Sequence, residues 1–385
     1  KQIPEAENIL IHWLAEGADD ALKCQIYNAL VSCGSSQSVK ILEKASAASD
    51  HAFDTSDAYG AYVQLLNKLA KSEPKVAEKG AKKLMKDNRT NVFLAGLDLM
   101  VQLHSKEATP LVIKALAGPD SEYRYGALRA AEAFADNSTY AAVAGAYEKA
   151  SQGAKVDILN WFGANHVAQQ IDLVATATKN ANDDIACAAI AAASKIGGEV
   201  SLKALINRMV KEQNSKAVEE ALVTGLLAFN GKINDEFVGA MDANSSSRAI
   251  AKQVLASRRI PAAAQKVLNW VNGGSDDAVA ALTTNAVEGN FAALCNLFEQ
   301  GKPMGDAILK AIQEKSASEQ AKMIQDRMAK AGAKKHIYYP ILAATGAKEA
   351  VEPIVTGYKS STGEAQAAAF EGLCALTDDS VLPTL

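Results

Sequence analysis

The chain of 385 residues lacks the motifs that mark most catalytic and metal-binding proteins. Its five cysteines show no CxxC or Cys/His spacing, its five histidines are scattered, and it contains no HExxH, GxSxG, P-loop or Rossmann glycine pattern. A nucleophile needs a neighbouring base that is itself oriented, and a zinc site needs several ligands at characteristic spacing. The sequence therefore predicts no catalytic residue, no metal site and no cofactor.

Clustered positive charge and long apolar runs are also missing. The net charge is −4, and the two short basic clusters, at Lys82–Lys86 and Lys330–His336, are interpreted as solvated helix ends. Nucleic-acid surfaces need concentrated lysine and arginine, and a membrane helix needs roughly 18–20 apolar residues in succession. The composition thus predicts neither nucleic-acid binding nor a membrane span.

Strand-like alternation is absent, whereas apolar residues recur at helical spacing throughout the chain. The clearest example is Asp183–Glu212, which predicts an alanine-rich helix, a turn at Gly197 and Gly198, and a returning helix. Glycine can adopt the positive φ that ends a helix and reverses the chain. The first of these helices is apolar on nearly all sides from Ile185 to Ala193, so we expect it to be buried on more than one side.

Hairpins of this kind recur along the whole chain, irregularly in residues 1–120 and about every 30 residues in 121–385. A hairpin of this size buries its apolar face only by stacking on the next one. The regular hairpins are predicted to start near Ser121, Gly153, Asp183, Ser215, Ser246, Asp276, Met304, Lys334 and Gly363. The sequence therefore predicts an all-α fold, a right-handed α-α superhelix (solenoid) of about a dozen hairpins in one array over 1–385. The last hairpin stops as its second helix should begin, which predicts that the array belongs to a longer polypeptide.

The return helices carry a pattern through which the chain resembles the HEAT-repeat (armadillo-like) family. The pattern is Ala-x-Pro-x-apolar-apolar-x-small-Leu, seen at Ala108–Leu116 and more loosely at Ala350–Tyr358. The resemblance implies an α-solenoid and a ladder between successive hairpins, formed by an Arg of the first helix and an Asp after the turn, here matched by Arg124 and Asp136. A looser similarity, to helical-repeat segments of exported bacterial sugar-processing enzymes, implies an exported or periplasmic bacterial protein, with the cytoplasm as the alternative.

One position of the return helix divides the hairpins into two groups. The residue before the final apolar position is small in several hairpins: Ala115, Ala146, Ala177, Ala240 and Gly357. In four others it is large: Arg208, Trp270, Leu297 and Arg327. An Asn or Asp, which are mediocre helix formers, precedes each of these four. The resulting candidate binding stripe consists of Asn207, Arg208, Asn269, Trp270, Asn296, Asp326 and Arg327.

Because the return helices of such solenoids line the concave surface, the candidate stripe predicts a non-catalytic interaction module. It would bind a protein or glycan partner, or position a neighbouring domain of the same polypeptide, with aromatic and arginine anchors contributing most of the affinity. Two other functions stay open: an enzyme with a site in the concave groove, either glycosylase-like or attached to a sugar-processing enzyme, and a purely structural spacer. The stripe has its own alternative interpretation, namely hydrogen bonding between hairpins along a solvated ridge.

Overall fold

The computed structural model describes residues 5–52, 54–301 and 304–376. Across these ranges the secondary structure consists of α-helices and short 3-10 turns, without a β-strand, so the predicted all-α solenoid class is confirmed. The chain forms two compact units, one ending at Ala204 and the other beginning at Leu205. A single array over 1–385 stays a prediction, and the shortened last hairpin concerns residues 377–385, which lie outside the described ranges.

The helices of the first unit alternate between first helices (even numbers) and return helices (odd numbers) of successive hairpins. They are α1 (Glu5–Ala15), α2 (Asp20–Cys33), α3 (Ser36–Ala48), α4 (Ala58–Ser72), α5 (Pro74–Leu84), α6 (Thr90–His104), α7 (Thr109–Ala115), α8 (Ser121–Ala131), α9 (Asn137–Tyr147), α10 (Gln152–Ala164), α11 (Ile171–Ala177) and α12 (Asp183–Ile196). The next return helix, α13 (Gly198–Met209), contains the boundary between the two units.

The second unit continues the same alternation. Its helices are α14 (Lys216–Leu227), α15 (Asp235–Ala240), α16 (Ser245–Ser257), α17 (Ala264–Asn272), α18 (Val279–Asn285), α19 (Phe291–Glu299), α20 (Gly305–Glu314), α21 (Ala321–Lys330), α22 (Tyr339–Ala344), α23 (Val351–Ser360) and α24 (Glu364–Leu376). Within each unit the first helices of consecutive hairpins pack on one another, and return helices pack on the first helix that follows, as α5 does on α6 and α23 on α24. This order of contacts is the stacking that the repeat predicted.

Helix α12 is the buried first helix that the alanine-rich stretch predicted. The side chain of Asn182 caps its first turn, and burial extends over most of Ile185–Ser194. A Cβ atom on Gly163 of α10 would lie 2.7 Å from the Cα atom of Ala192, so only glycine permits this approach of the two backbones. Gly197, with a φ of +73°, ends the helix, which confirms the predicted turn.

The predicted hairpin starts agree closely with the observed helices. Ser121 and Asp183 begin α8 and α12, and Gly153 is the second residue of α10. Asp276 and Lys334 instead lie in 3-10 turns that lead into α18 and α22. The apolar period continues through such a turn, and the sequence pattern therefore does not separate the turn from the α-helix.

Arg124 and Asp136 do not form the Arg–Asp ladder between hairpins that the HEAT resemblance implied. The Nε atom of Arg124 donates to Oδ2 of Asp157 on α10 at 2.7 Å, and Ser121 donates to the other oxygen of the same buried carboxylate. Asp136 instead caps α9 and binds the ammonium group of Lys106. Because first helices stack on first helices, Arg124 meets an acid on the next first helix, and the implied ladder is wrong at this joint.

In the second unit, hydrogen bonds to main-chain carbonyl groups join consecutive hairpins. The guanidinium group of Arg258 donates to the carbonyl oxygens of Leu226 and Gly231 at 2.6 and 2.7 Å, and so caps the end of α14. The fully buried amide of Asn285 donates to Leu255 O at 2.6 Å.

Among the described helices, none is long and apolar enough to cross a bilayer.

Candidate functional site

The seven residues of the candidate stripe lie near the ends of α13, α17, α19 and α21, all in the second unit. The Asn or Asp of each pair is exposed, whereas the next residue turns toward the protein: Arg208 and Trp270 are only 3% and 7% exposed. Consecutive helical residues point about 100° apart, which explains why one faces solvent and the next packs. The stripe is therefore an exposed row of amide and carboxylate groups beside a row of buried or half-buried side chains.

Trp270 is not an exposed aromatic anchor. Its indole N–H donates to Oδ1 of Asp242 at 2.8 Å, and the Nε atom of Arg248 donates to the same oxygen at the same distance. The Arg248 guanidinium lies 6.0 Å from the centre of the indole ring. The site is an open cleft of about 390 Å³ that also includes Asn269. An acid therefore stands beside Trp270, as the enzyme alternative requires, but its Oδ1 is already engaged by two donors.

Two of the predicted residues meet across neighbouring hairpins. The Nη1 atom of Arg327 on α21 donates to Oδ1 of Asn296 at 2.9 Å and to Oε1 of Glu299 at 2.7 Å, both on α19. The hydroxyl of Tyr338 donates to the same Glu299 oxygen. These contacts form one wall of a cleft of about 540 Å³, which Asp326 also lines. We call this cleft the arginine groove.

The electrostatics of the arginine groove favour binding over proton transfer. Burial, together with the hydrogen bond to Glu299, raises the pKa of Tyr338 well above 10.0, so its hydroxyl keeps its proton. Burial raises the pKa of the nearby Cys295 thiol to about 11, which leaves little thiolate at neutral pH. Lys330 and Lys334 border the opening. The groove thus offers charges of both signs and hydrogen-bond donors, but no activated nucleophile.

Four residues of the arginine groove were not predicted from the sequence: Glu299, Lys330, Lys334 and Tyr338. The two lysines belong to the basic cluster Lys330–His336, which was interpreted as a solvated helix end. Both are exposed, as expected, but they also line the arginine groove. The signal in the sequence was the position of this cluster directly after Arg327.

One Ser-His-Asp contact occurs in the first unit, at the turn after α3. The hydroxyl of Ser46 lies 2.5 Å from Nδ1 of His51, and Nε2 of His51 lies 4.0 Å from Asp87. Ser46 is completely buried, so a substrate cannot reach its oxygen. The guanidinium of Arg89 holds the Asp87 carboxylate and lowers its pKa to about 2. The cluster therefore joins the turn to the end of α5 and does not form a catalytic triad.

Metal ligands and thiols give no further site in the described ranges. No three His, Cys, Asp or Glu side chains there are grouped so that they could hold a metal ion. Among the cysteines, Cys295 is buried. Comparison of the chain with protein-family models and with curated proteins finds no match. What the candidate site can bind is therefore inferred from its own residues and distances.

Proposed function

We propose that the chain is a non-catalytic interaction module of the HEAT-like type, which binds a protein partner through the return helices α17, α19 and α21. The observation that supports this proposal is the arginine groove, where Arg327, Asn296 and Glu299 form a fixed hydrogen-bond network between two hairpins. Fixed polar groups beside an open cleft lose little conformational entropy when a partner binds. Export to the bacterial periplasm, with the cytoplasm as the alternative, is the localisation that we expect with this function.

The arginine groove fits a protein surface better than a glycan. The groove presents Lys330 and Lys334 beside the carboxylate of Asp326, and complementary charges of both signs give specificity to protein interfaces. A platform for stacking a sugar ring needs an exposed aromatic face, whereas Trp270 and Tyr338 are 7% and 2% exposed. A glycan partner is therefore the second choice. Because Trp270 is buried, its own hairpin fits the structural-spacer alternative better than a binding role.

Site-specific photo-crosslinking tests the proposal directly. A benzophenone amino acid placed at Asp326, beside the arginine groove, should capture a defined protein from an extract of the source cells. The same group at Lys310, an exposed residue of the first helix α20, is the matched control. We expect the adduct at 326 to be absent at 310 and to weaken with Arg327→Ala. Identical adducts at both positions, or none at 326, would contradict a binding role of this groove; a glycan array then tests the glycan alternative.

A further inference from the structure

A second cleft, of about 480 Å³, lies between the ends of the return helices α5 and α7 in the first unit. The rings of Phe93 and Tyr123 stack in its wall with centroids 4.1 Å apart, and Met85 and Leu111 extend the apolar lining. Pockets for small ligands typically measure about 300–1,000 Å³ and are mostly apolar with a few placed polar groups. We call this cleft the lysine groove.

The rim of the lysine groove carries positive charge that no carboxylate of the described residues neutralises fully. Lys82, Lys86 and Lys114 line it and are exposed. Lys82 is paired with Glu78 at 2.5 Å, whereas Lys86 and Lys114 meet no carboxylate within the described part of the chain. Burial raises the pKa of Tyr123, so this ring is neutral and does not offset the lysines. Two ammonium groups therefore stand beside an apolar wall.

Small residues keep the lysine groove open. Ala115 occupies the position at which the second unit has Trp270 or Arg327, and its methyl group leaves the space between the helices free. A Cβ atom on Gly118 would lie 2.1 Å from the ring of Tyr123, so glycine at this position is what allows the ring to lie where it does. The shape of the lysine groove therefore depends on the small residues Ala115 and Gly118.

The next groove along the first unit lacks this combination. It lies between the ends of α7 and α9, has a volume of about 570 Å³ and is lined by Ala146 and the single lysine Lys149, with no aromatic side chain in its described lining. An apolar aromatic wall under two unpaired lysines therefore distinguishes the lysine groove from a cleft that simply arises where two return helices diverge.

We propose that the lysine groove binds a small amphipathic carboxylate. The aliphatic or aromatic body of the ligand packs on Phe93 and Tyr123, and its carboxylate pairs with Lys86 and Lys114. Removal of apolar surface from water supplies most of the affinity, and the two ammonium groups select an anion over a neutral molecule of the same shape. This site is separate from the arginine groove and does not depend on the function proposed for it.

Methionine methyl signals provide a direct test with decanoate as the probe. The chain has seven methionines, of which Met85 and Met100 line the lysine groove and Met323 lines the arginine groove. In protein labelled with 13C at the methionine methyl groups, decanoate should shift the signals of Met85 and Met100 in a saturable manner. The signal of Met323 should not move, and it serves as an internal control for non-specific binding.

Variants separate the charge from the apolar wall. The double variant Lys86→Ala/Lys114→Ala changes only exposed side chains, so its fold should be intact. Its affinity for decanoate should fall roughly threefold to tenfold, the effect of two exposed ion pairs, while the affinity for decan-1-ol stays the same. Ala115→Leu should fill the groove and abolish binding, whereas Ala146→Leu, the same change one hairpin later, should not.

Three results would overturn the assignment. The first is the absence of a saturable shift at Met85 and Met100. The second is equal binding of decanoate and decan-1-ol, with the double lysine variant unchanged. The third is an equal loss of binding in Ala115→Leu and Ala146→Leu, because a general loss of packing would then explain both.

Discussion

The lysine groove of the first unit and the arginine groove of the second occupy the same place in the repeat, between the ends of successive return helices. In the first, Ala115 leaves the space free and two lysines, Lys86 and Lys114, pair with no carboxylate of the described residues. In the second, Arg327 extends across the space and binds Glu299 on the neighbouring hairpin. The side chain just before the last apolar residue of a return helix therefore decides whether a polar bridge joins the two neighbouring hairpins at the groove, as Arg327 does and Ala115 cannot.

Among the large side chains just before the last apolar residue of a return helix, Trp270 should contribute most to the free energy of unfolding. Trp270→Ala leaves a cavity where a 7% exposed indole packed, and we expect the free energy of unfolding to fall by about 3–5 kcal/mol. Urea denaturation followed by circular dichroism measures this change. Trp270→Phe keeps most of the packing and loses only the N–H bond to Asp242, so it should cost less. A cost below about 0.5 kcal/mol for Trp270→Ala, typical of surface substitutions, would contradict the buried role.

Arg327→Ala should remove the polar bridge between the two hairpins at the arginine groove, so that its side-chain contacts resemble those of the lysine groove. It removes hydrogen bonds to Asn296 and Glu299, and we expect a loss of about 1–2 kcal/mol in the free energy of unfolding. Arg327→Lys should recover part of this loss, because an ammonium group keeps the positive charge but lacks the planar, forked set of N–H donors of a guanidinium group. Lys114→Ala, at the open groove, should change stability by less than about 0.5 kcal/mol. Equal effects of Arg327→Ala and Lys114→Ala would remove the contrast between the grooves.

Acid should destabilise the first unit through Asp87. Arg89 lowers the pKa of Asp87 from 3.8 to about 2 in the folded protein. A depressed folded-state pKa contributes stability that is present above the unfolded value and is lost as the pH falls toward the folded value. We therefore expect the contribution of Asp87 to disappear between about pH 4 and pH 2. Asp87→Asn should remove this part of the pH dependence; a profile that is unchanged in this variant would refute the assignment.

Alkali should act on the second unit through Tyr338, with a smaller observable effect, since only the start of the titration is accessible. Burial and Glu299 raise the pKa of Tyr338 above 10.0. A raised folded-state pKa contributes stability that is complete below the unfolded value and declines as the pH rises toward the folded value. Thermal unfolding of the wild type should therefore shift to lower temperature above about pH 10 more than that of Tyr338→Phe. Parallel shifts in both proteins would show that Tyr338 is not responsible.

Periodicity and turn residues predicted the architecture because both are local properties. The helix from Asp183 to Ile196 and the glycine turn after it follow from spacing and from the φ that Gly197 supplies. The same holds for the start of α8 at Ser121. Such features depend on residues a few positions apart, and stacking in sequence order then follows from the repetition.

The partners of individual side chains could not be predicted in the same way. Arg124 pairs with Asp157 and not with Asp136, because the rotation of one stacked helix against the next decides which acid it meets. Asn269 faces solvent and Trp270 is buried although they are adjacent. The lysines of Lys82–Lys86 are solvated as predicted, yet the lysine groove exists only because four helices bring residues distant in sequence to one place.

The close approach of α10 and α12 at Gly163 and Ala192 bears on how the first unit comes apart under mechanical load. Each hairpin of a stacked array is held by its neighbours, so unravelling proceeds one hairpin at a time. At Gly163 and Ala192 the backbones of α10 and α12 touch without an intervening side chain, so this point of the joint cannot yield by a change of side-chain rotamer. Unravelling that begins at α2 is therefore expected to pause at this contact, which makes it a mechanical stop inside the array.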